Sequence, residues 1–356
     1  MATRITIMAG GTGGHVFPAL AVAHELAARG WQVNWLGTPD SFEARTVPQH
    51  GFALDTMNAH RLRGKGLLNR MLGPVYLLRA MLQAWKVLRM RRPQVVLGMG
   101  GFVSGPGGLV SRLMHTPLVV HEQNAIPGLT NRWLARVASR VLEAFPGSFA
   151  ASAGAIAIGN PIRKEIADLG EPQPIDAQRA LRVLVLGGSL GAQALNEQVP
   201  LALAQLAEDL RPEIRHQAGR GKEAATVQAY EQSGVSATVT EFVDDMAEAY
   251  SWADLVICRS GALTVSELMA AGKAALLVPF PFAVDDHQTV NAGFLVDAGA
   301  AQLIQQRDIT TERLADLLRE LLSDRERLHA MGAKAYAIAK RDSAQRVADV
   351  CEELAA

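Results

Sequence analysis

Residues 4–28 read RITIMAGGTGGHVFPALAVAHELAA, and this stretch decides the fold. Ile5–Met8 is a short apolar run, Gly10, Gly11, Gly13 and Gly14 crowd a turn, and Leu20, Val22, Leu26 and Ala27 continue as a helical pattern. A strand that enters a helix through a glycine-rich turn belongs to parallel α/β sheets. The same grammar returns at Val183–Leu186, then Gly187-Gly188-Ser189-Leu190-Gly191-Ala192, then a helix predicted near Gln193. Further strands are expected at Val33–Leu36, Val95–Leu97, Leu255–Ile257 and Ala275–Val278. At 356 residues the chain exceeds one ordinary core. The sequence therefore predicts an α/β protein of two facing, doubly wound, Rossmann-like domains with parallel sheets and an inter-domain cleft. The expected domains are residues 1–163 and 164–340, divided after the GNPIR run at 159–163. The amphipathic pattern Ser343–Leu354 suits either domain, and residues 341–356 can pack back on the first.

Composition narrows the class. Apolar residues make up 49%, charged residues 20% and aromatics 5%, with 32 glycines, which fits tight strand-to-helix turns better than a β-sandwich. Two cysteines, Cys258 and Cys351, without a Cys/His cluster argue against disulfides or structural zinc. The amino terminus reads as a strand and not as a secretion signal, and no apolar run reaches the ~18 residues of a membrane span. Zero net charge hides an asymmetry: residues 1–160 carry 16 Lys/Arg and 6 Asp/Glu. Between Asp55 and Glu122 there is no acidic residue but ten basic ones. Such a face favours a polyanion or a membrane surface. No nucleic-acid partner is expected.

The membrane reading centres on residues 61–92. Pro74 opens a predicted helix that ends before Pro93. Leu78, Met81, Leu82 and Trp85 share a stripe beside Arg79, Lys86 and Arg89, and the default reading of such a stripe is core. The preceding segment, with Leu67, Leu68, Met71 and Leu72 among Arg61, Arg63, Lys65 and Arg70, is harder to bury. Docking on anionic lipid is the sharper expectation there, with Arg79, Trp85, Lys86 and Arg89 of the helix counted in the same patch.

Several motifs carry chemistry. Glycines let a backbone approach a ligand closely, and the helix behind them offers free N–H groups to a phosphate. A dinucleotide site fits poorly, because Val16 stands where the last glycine of G-x-G-x-x-G belongs. His15, at the mouth of this loop, is a candidate general base, with helix capping or phosphate contact as the plainer alternatives. Ser189 adds a hydroxyl to the second loop. Arg259–Glu267 opens another helix, where Glu267 either accepts from ribose hydroxyls or closes a capping box with Ser260, Gly261 or Thr264, the last at the right spacing. Six glycines between Gly98 and Gly108 point to close approach by a second anion. Asp244-Asp245 and Asp285-Asp286 are adjacent pairs, better suited to capping helices or touching sugar hydroxyls than to holding a metal. No metal and no cofactor are expected.

Eight blocks in order resemble the MurG family of N-acetylglucosaminyltransferases: GGTGGHVFP (10–18), GMGGFVSGPGG (98–108), HEQN (121–124), GNPIR (159–163), GGSLGA (187–192), TEFVDDM (240–246), RSGALTVSE (259–267) and DDHQTVN (285–291). The resemblance covers essentially the whole chain. It implies the glycosyltransferase fold called GT-B and an inverting transfer of N-acetylglucosamine from UDP-N-acetylglucosamine to the 4-hydroxyl of lipid I, giving lipid II for peptidoglycan. On that pattern Ser189 and the helix start Ala262, Leu263, Thr264, Val265, Ser266 and Glu267 hold diphosphate and ribose, and Val243 lies by the uracil. Arg163 contacts the nucleotide, Asn124 and Gln288 the sugar, and Thr12, Gly13 and Gly14 also reach the donor. The lead-in Pro279–Val284 leaves His287 open beside Gln288. Gly13, Gly14, Gly100, Gly101, Ser104 and Gly105 would receive the acceptor pyrophosphate. The implied partners are UDP-N-acetylglucosamine, lipid I, an anionic membrane at the cytoplasmic face, and other cell-wall synthesis proteins. The alternatives are another GT-B-like enzyme, such as a 2-epimerase or an antibiotic glycosyltransferase, and a non-catalytic nucleotide-sugar binding protein.

Overall fold

The computed structural model describes residues 2–58, 73–188 and 190–356. The chain divides into two compact units, Met1–Arg163 with Lys340–Ala356, and Lys164–Ala339.

The first unit is built on seven parallel strands: β1 (Arg4–Met8), β2 (Gln32–Gly37), β3 (Ala53–Thr56), β4 (Val95–Gly98), β5 (Leu118–Glu122), β6 (Arg140–Glu143) and β7 (Ile156–Ala157). Their order is β3-β2-β1-β4-β5-β6-β7. The central strands are nearly continuous apolar runs, as a sheet covered on both faces requires. The second unit has six parallel strands: β8 (Arg182–Leu186), β9 (Glu213–Gln217), β10 (Thr238–Thr240), β11 (Leu255–Cys258), β12 (Ala274–Leu277) and β13 (Ala301–Leu303). Their order is β10-β9-β8-β11-β12-β13. Both sheets reverse direction of winding beside their first strand, at β1/β4 and at β8/β11. In such sheets ligands bind outside the carboxyl ends of the strands, beside this switch point. All four carry the glycine-rich or RSG segments read from the sequence.

The helix Ser343–Ala355 belongs to the first unit. Val347, Ala348 and Cys351 are fully buried with Ile5, Ile7, Val22 and Leu26. Arg29 fastens it from outside, donating to Asp349 at 2.6 Å and Glu352 at 3.0 Å while also held by Glu25 at 2.8 Å. An amphipathic stripe in sequence says that a face is covered, not by which unit; the match of Val347 and Cys351 to the β1 core decides it. Val347→Ala should lower stability by about 2 kcal/mol, from two lost methyls and the space they leave. The check is the thermal midpoint, expected to fall by roughly 5 °C; an unchanged midpoint contradicts this packing.

Candidate functional site

In the first unit, the loops after β1 and β4 touch backbone to backbone. Gly101 (φ +85°) has no Cβ, and the carbonyl oxygen of Gly10 fills the place where one would project. Gly100 (φ +95°) lies against the His15 ring, where a Cβ would stand 2.8 Å from Nδ1. Gly107 and Gly108 sit inside the helix Ser104–Leu113 and face Met8 and Leu134. Interior packing thus accounts for four glycines that the sequence pattern attributed to anion approach. Gly105, half-buried at the first turn of that helix, and Gly98, at the end of β4, are not crowded in this way: a Cβ there would meet its nearest neighbour at 3.5 and 3.7 Å. Ser104 is likewise corrected: its hydroxyl is fully buried, with the Met8 and Gly100 carbonyls as acceptors at 3.0 and 2.8 Å. It can serve a ligand through its backbone N–H alone.

Beneath the first loop lies Glu43, which the sequence reading passed over. Its carboxylate is fully buried and accepts from Gly11 N at 3.1 Å, Thr38 N at 3.1 Å and Thr38 Oγ1 at 2.8 Å. Burial by itself raises this carboxyl; the hydrogen bonds from Gly11, its own N–H and Thr38 outweigh it and hold Glu43 below the usual carboxylate range. Two more buried carboxylates repeat the device. Glu122 accepts from Asn124 N, Gly128 N and Asn131 Nδ2 at 2.9, 3.1 and 2.9 Å, and Glu143 from Gly147 N and Phe149 N at 2.9 and 3.1 Å. A signal was present: of the six acids in the basic first 160 residues, these three are buried under loops.

Thr12 stands at the N-cap position of the helix Gly13–Ala28 without a side-chain cap, so Gly13 and Gly14 present free N–H groups. His15 follows in the first turn and does not cap. Its Nδ1 meets Gln123 Oε1 at 2.8 Å. Asn124 is anchored by both its N–H and its Nδ2 to Glu122 Oε1. The Arg163 guanidinium lies 5.7 Å from the centre of the Phe17 ring.

The second unit repeats the glycine contact. Gly191 (φ +70°) is pressed on the Ala218 carbonyl, and Gly219 on Gly191 in turn. Gln217, at the end of β9, accepts from Gly188 N at 2.9 Å and donates to the Gly188 carbonyl at 3.0 Å, clamping the loop from both sides. Ser189 lies outside the described residues. The helix Ala262–Ala270 begins at Gly261 with no side-chain cap, so the capping box with Thr264 is not formed. Glu267, nearly buried, instead receives the Tyr250 hydroxyl at 3.2 Å. Val265 and Ala262 are buried, Ser266 donates back to the Ala262 carbonyl at 2.9 Å, and Leu263 and Thr264 are half-exposed. Arg259 braces the neighbouring loop through the Val278 and Pro279 carbonyls at 3.0 and 3.2 Å, and burial lowers its pKa.

The remaining predicted positions belong to the same unit. Val243 is half-buried in the loop after β10, and Asp245 caps the helix Met246–Trp252 by accepting from Glu248 N at 2.9 Å. Gln288 accepts from Phe280 N at 2.9 Å, while His287 Nδ1 donates to the Val284 carbonyl at 2.7 Å. Asp285 and Asp286 both adopt the left-handed conformation (φ 54° and 50°) at the entry of the helix His287–Asp297. Among the described residues no three of His, Cys, Asp and Glu converge as metal ligands.

The helix Gly73–Arg91 corrects one expectation. Its buried face is Ala80, Ala84, Val87 and Leu88, and Met81 is half-buried. Leu78, Leu82 and Trp85 are 59%, 60% and 42% exposed, so the stripe is not core. Arg79, Lys86 and Arg89 are exposed beside them, with Arg89 5.0 Å from the Trp85 ring centre. Leu113 and Trp133, 68% and 61% exposed on further helices of this unit, stand near Arg112 and Arg136 in sequence. Arg61, Arg63, Lys65, Leu67, Leu68, Arg70, Met71 and Leu72 lie outside the described residues. Among the described residues no helix is long and apolar enough to cross a membrane.

The Glu43 clamp has a testable sign. Because its folded pKa is depressed, it contributes stability above the ordinary glutamate value of about 4.3, and that share is lost as pH falls through the lower folded value. Glu43→Gln keeps the size but turns an amide N–H toward donors, costing about 1–3 kcal/mol at neutral pH. Urea titrations should show this difference steady from pH 8 to about 5 and shrinking below about 4.3; a gap independent of pH contradicts the clamp. Gly101→Ala, which sets a methyl against a backbone carbonyl, should be more damaging than Gly105→Ala by the same measurement.

Comparison with known proteins agrees with this architecture. Residues 5–143 match the glycosyltransferase family 28 N-terminal domain and residues 182–347 its C-terminal domain. A relative from Shewanella denitrificans is 54% identical over 358 aligned positions, covering 100% of this chain and 98% of its own. Another from Methylococcus capsulatus is 54% identical, covering 99% of each. Both are named UDP-N-acetylglucosamine–N-acetylmuramyl-(pentapeptide) pyrophosphoryl-undecaprenol N-acetylglucosamine transferase. The crystal structure of Acinetobacter baumannii MurG superposes with a TM-score of 0.84 at 42% identity, covering 99% of each chain. A kitacinnamycin glycosyltransferase shares the fold alone, at 20% identity and a TM-score of 0.72. Two parallel sheets with glycine loops at their switch points, full-length identity above one half and both domain models together place this chain in glycosyltransferase family 28, in its MurG group.

Proposed function

We propose that this chain transfers N-acetylglucosamine from UDP-N-acetylglucosamine to the 4-hydroxyl of the N-acetylmuramyl sugar of lipid I, giving lipid II. The observation that carries this reading is 54% identity along the full length to transferases named for that reaction. An antibiotic glycosyltransferase or a 2-epimerase has no comparable use for a stretch with ten basic and no acidic residues between Asp55 and Glu122.

The second unit takes the donor. The uncapped helix start at Gly261–Leu263 directs N–H groups and a positive dipole end at the diphosphate. Glu267 receives the ribose hydroxyls, with Ser189, Val243 and Gln288 completing the nucleotide and sugar contacts. The first unit takes the acceptor pyrophosphate on the backbone N–H groups of Gly13, Gly14 and Gly105, and the resemblance assigns Asn124 to the sugar and Arg163 to the nucleotide. His15 accepts the proton of the attacking 4-hydroxyl. The oxygen bonds the anomeric carbon from the face opposite the diphosphate, and the C1–O bond breaks with its electron pair leaving on UDP. Helix N-termini and Arg163 offset the charge of the leaving group, so the reading uses no metal.

The exposed Leu78, Leu82 and Trp85, with Arg79, Lys86 and Arg89, dock peripherally on an anionic bilayer at the cytoplasmic face, where lipid I presents its headgroup. The apolar side chains enter the interface and the cations pair with lipid phosphates.

UDP release from UDP-N-acetylglucosamine should depend on a lipid I analogue; binding without acceptor-dependent release would favour a nucleotide-sugar binding protein instead. His15→Ala should depress turnover by about 100-fold or more while leaving donor affinity intact, and unchanged turnover removes the base assignment. Alanine at Arg79, Lys86 and Arg89 together should weaken binding to anionic vesicles on the order of 100-fold and flatten its salt dependence. Binding insensitive to salt and to these changes rules out the electrostatic part.

A further inference from the structure

Behind His15 runs a buried chain of hydrogen bonds whose direction is fixed at its far end. His121, fully buried, places Nε2 2.9 Å from the Gly159 carbonyl. A carbonyl only accepts, so Nε2 carries the proton. Burial is the largest influence on this imidazole and lowers it to about 4, against the opposing pull of the Gly159 carbonyl and the Glu122 carboxylate. The ring is therefore neutral near pH 7, and its Nδ1 is a lone pair. Gln123, also buried, directs its amide nitrogen at this atom at 3.3 Å, at the His121 carbonyl at 3.3 Å and at Met99 Sδ at 4.0 Å. All three neighbours accept, so the amide cannot be turned the other way. Its oxygen then faces His15 Nδ1 at 2.8 Å, and that nitrogen must be the donor.

We propose that His121 and Gln123 form a positioning relay that holds His15 as the Nδ1–H tautomer and leaves Nε2 as its proton-accepting atom. The inference rests on the reading of His15 as the base and adds which nitrogen acts and why. Gly100 belongs to the same arrangement, since a Cβ there would push the His15 ring off Gln123. The principle is the one by which a second group orients a catalytic histidine in hydrolase triads, here with an amide and a neutral imidazole in place of a carboxylate.

The tautomer is read directly by long-range proton–nitrogen NMR on the full chain labelled with 15N-histidine, the His15 signals assigned by their absence in His15→Ala. Wild type should show a protonated Nδ1 and an unprotonated Nε2. Gln123→Leu should shift His15 toward the Nε2–H form and lower kcat by about 100-fold with KM for UDP-N-acetylglucosamine unchanged. Two substitutions at His121 separate relay from packing. His121→Asn keeps an acceptor where Nδ1 stood and should retain the tautomer and most of the turnover. His121→Gln keeps only the donor to Gly159 and should lose both. An Nε2–H tautomer in wild type overturns the proposal whether or not any variant folds, and so does His121→Gln outperforming His121→Asn. If the tautomer is as expected but His15→Ala turns over normally, the base assignment has failed and the relay loses its catalytic purpose.

Discussion

The carbonyl of Gly10 occupies the volume that any side chain at position 101 would need, and the geometry of the first unit's site follows from that contact. Two loops at the carboxyl edge of one sheet normally stand apart by the width of their side chains. Here they meet main chain to main chain, so the segments after β1 and β4 form one surface. The His15 ring fits against that surface because Gly100, too, is bare. The second unit reaches the same arrangement with Gly191 and Gly219, on the loops after β8 and β9. Left-handed φ values and missing Cβ atoms are required together at Gly100, Gly101, Gly191 and Gly219, which no other residue type can supply without strain.

Loops packed this closely need their N–H groups satisfied from below, and the first unit does so with carboxylates. Glu43, Glu122 and Glu143 each collect backbone donors from a turn and leave the opposite side of the loop to solvent or ligand. Gln217 performs the equivalent task under Gly188, where an amide can both donate and accept. Each of these groups is buried and hydrogen-bonded, the condition under which burying a polar atom is tolerable.

Much of this was legible in the sequence. Strand, glycine turn and helix recur in order, and that order gives the parallel sheets and the placing of the loops. The glycine count of 98–108 was read as ligand approach, yet Gly107 and Gly108 answer to Met8 and Leu134. A sequence does not distinguish a Cβ excluded by a ligand from one excluded by a neighbour. The stripe Leu78–Trp85 misled for a related reason: the helix buries Ala80 and Ala84 together with Val87 and Leu88, and turns Leu78, Leu82 and Trp85 outward. Glu43 was invisible because its partners are backbone atoms, which every residue possesses. The orientation of Gln123 was beyond sequence reading altogether, since it depends on the carbonyl of Gly159, 36 positions along the chain from Gln123.

The helix Ser343–Ala355 also sets a timetable for synthesis. The first unit's strands leave the ribosome early, but Val347, Ala348 and Cys351, which cover Ile5 and Val22, are translated only after the roughly 180 residues of the second unit. At about 5–20 residues per second that interval is on the order of 10–35 s. Throughout it the apolar face that this segment covers, on the helix Gly13–Ala28 and β4, lacks that cover. The first core of this chain is thus finished by one of its later segments, whose arrival also lets Arg29 close on Asp349 and Glu352.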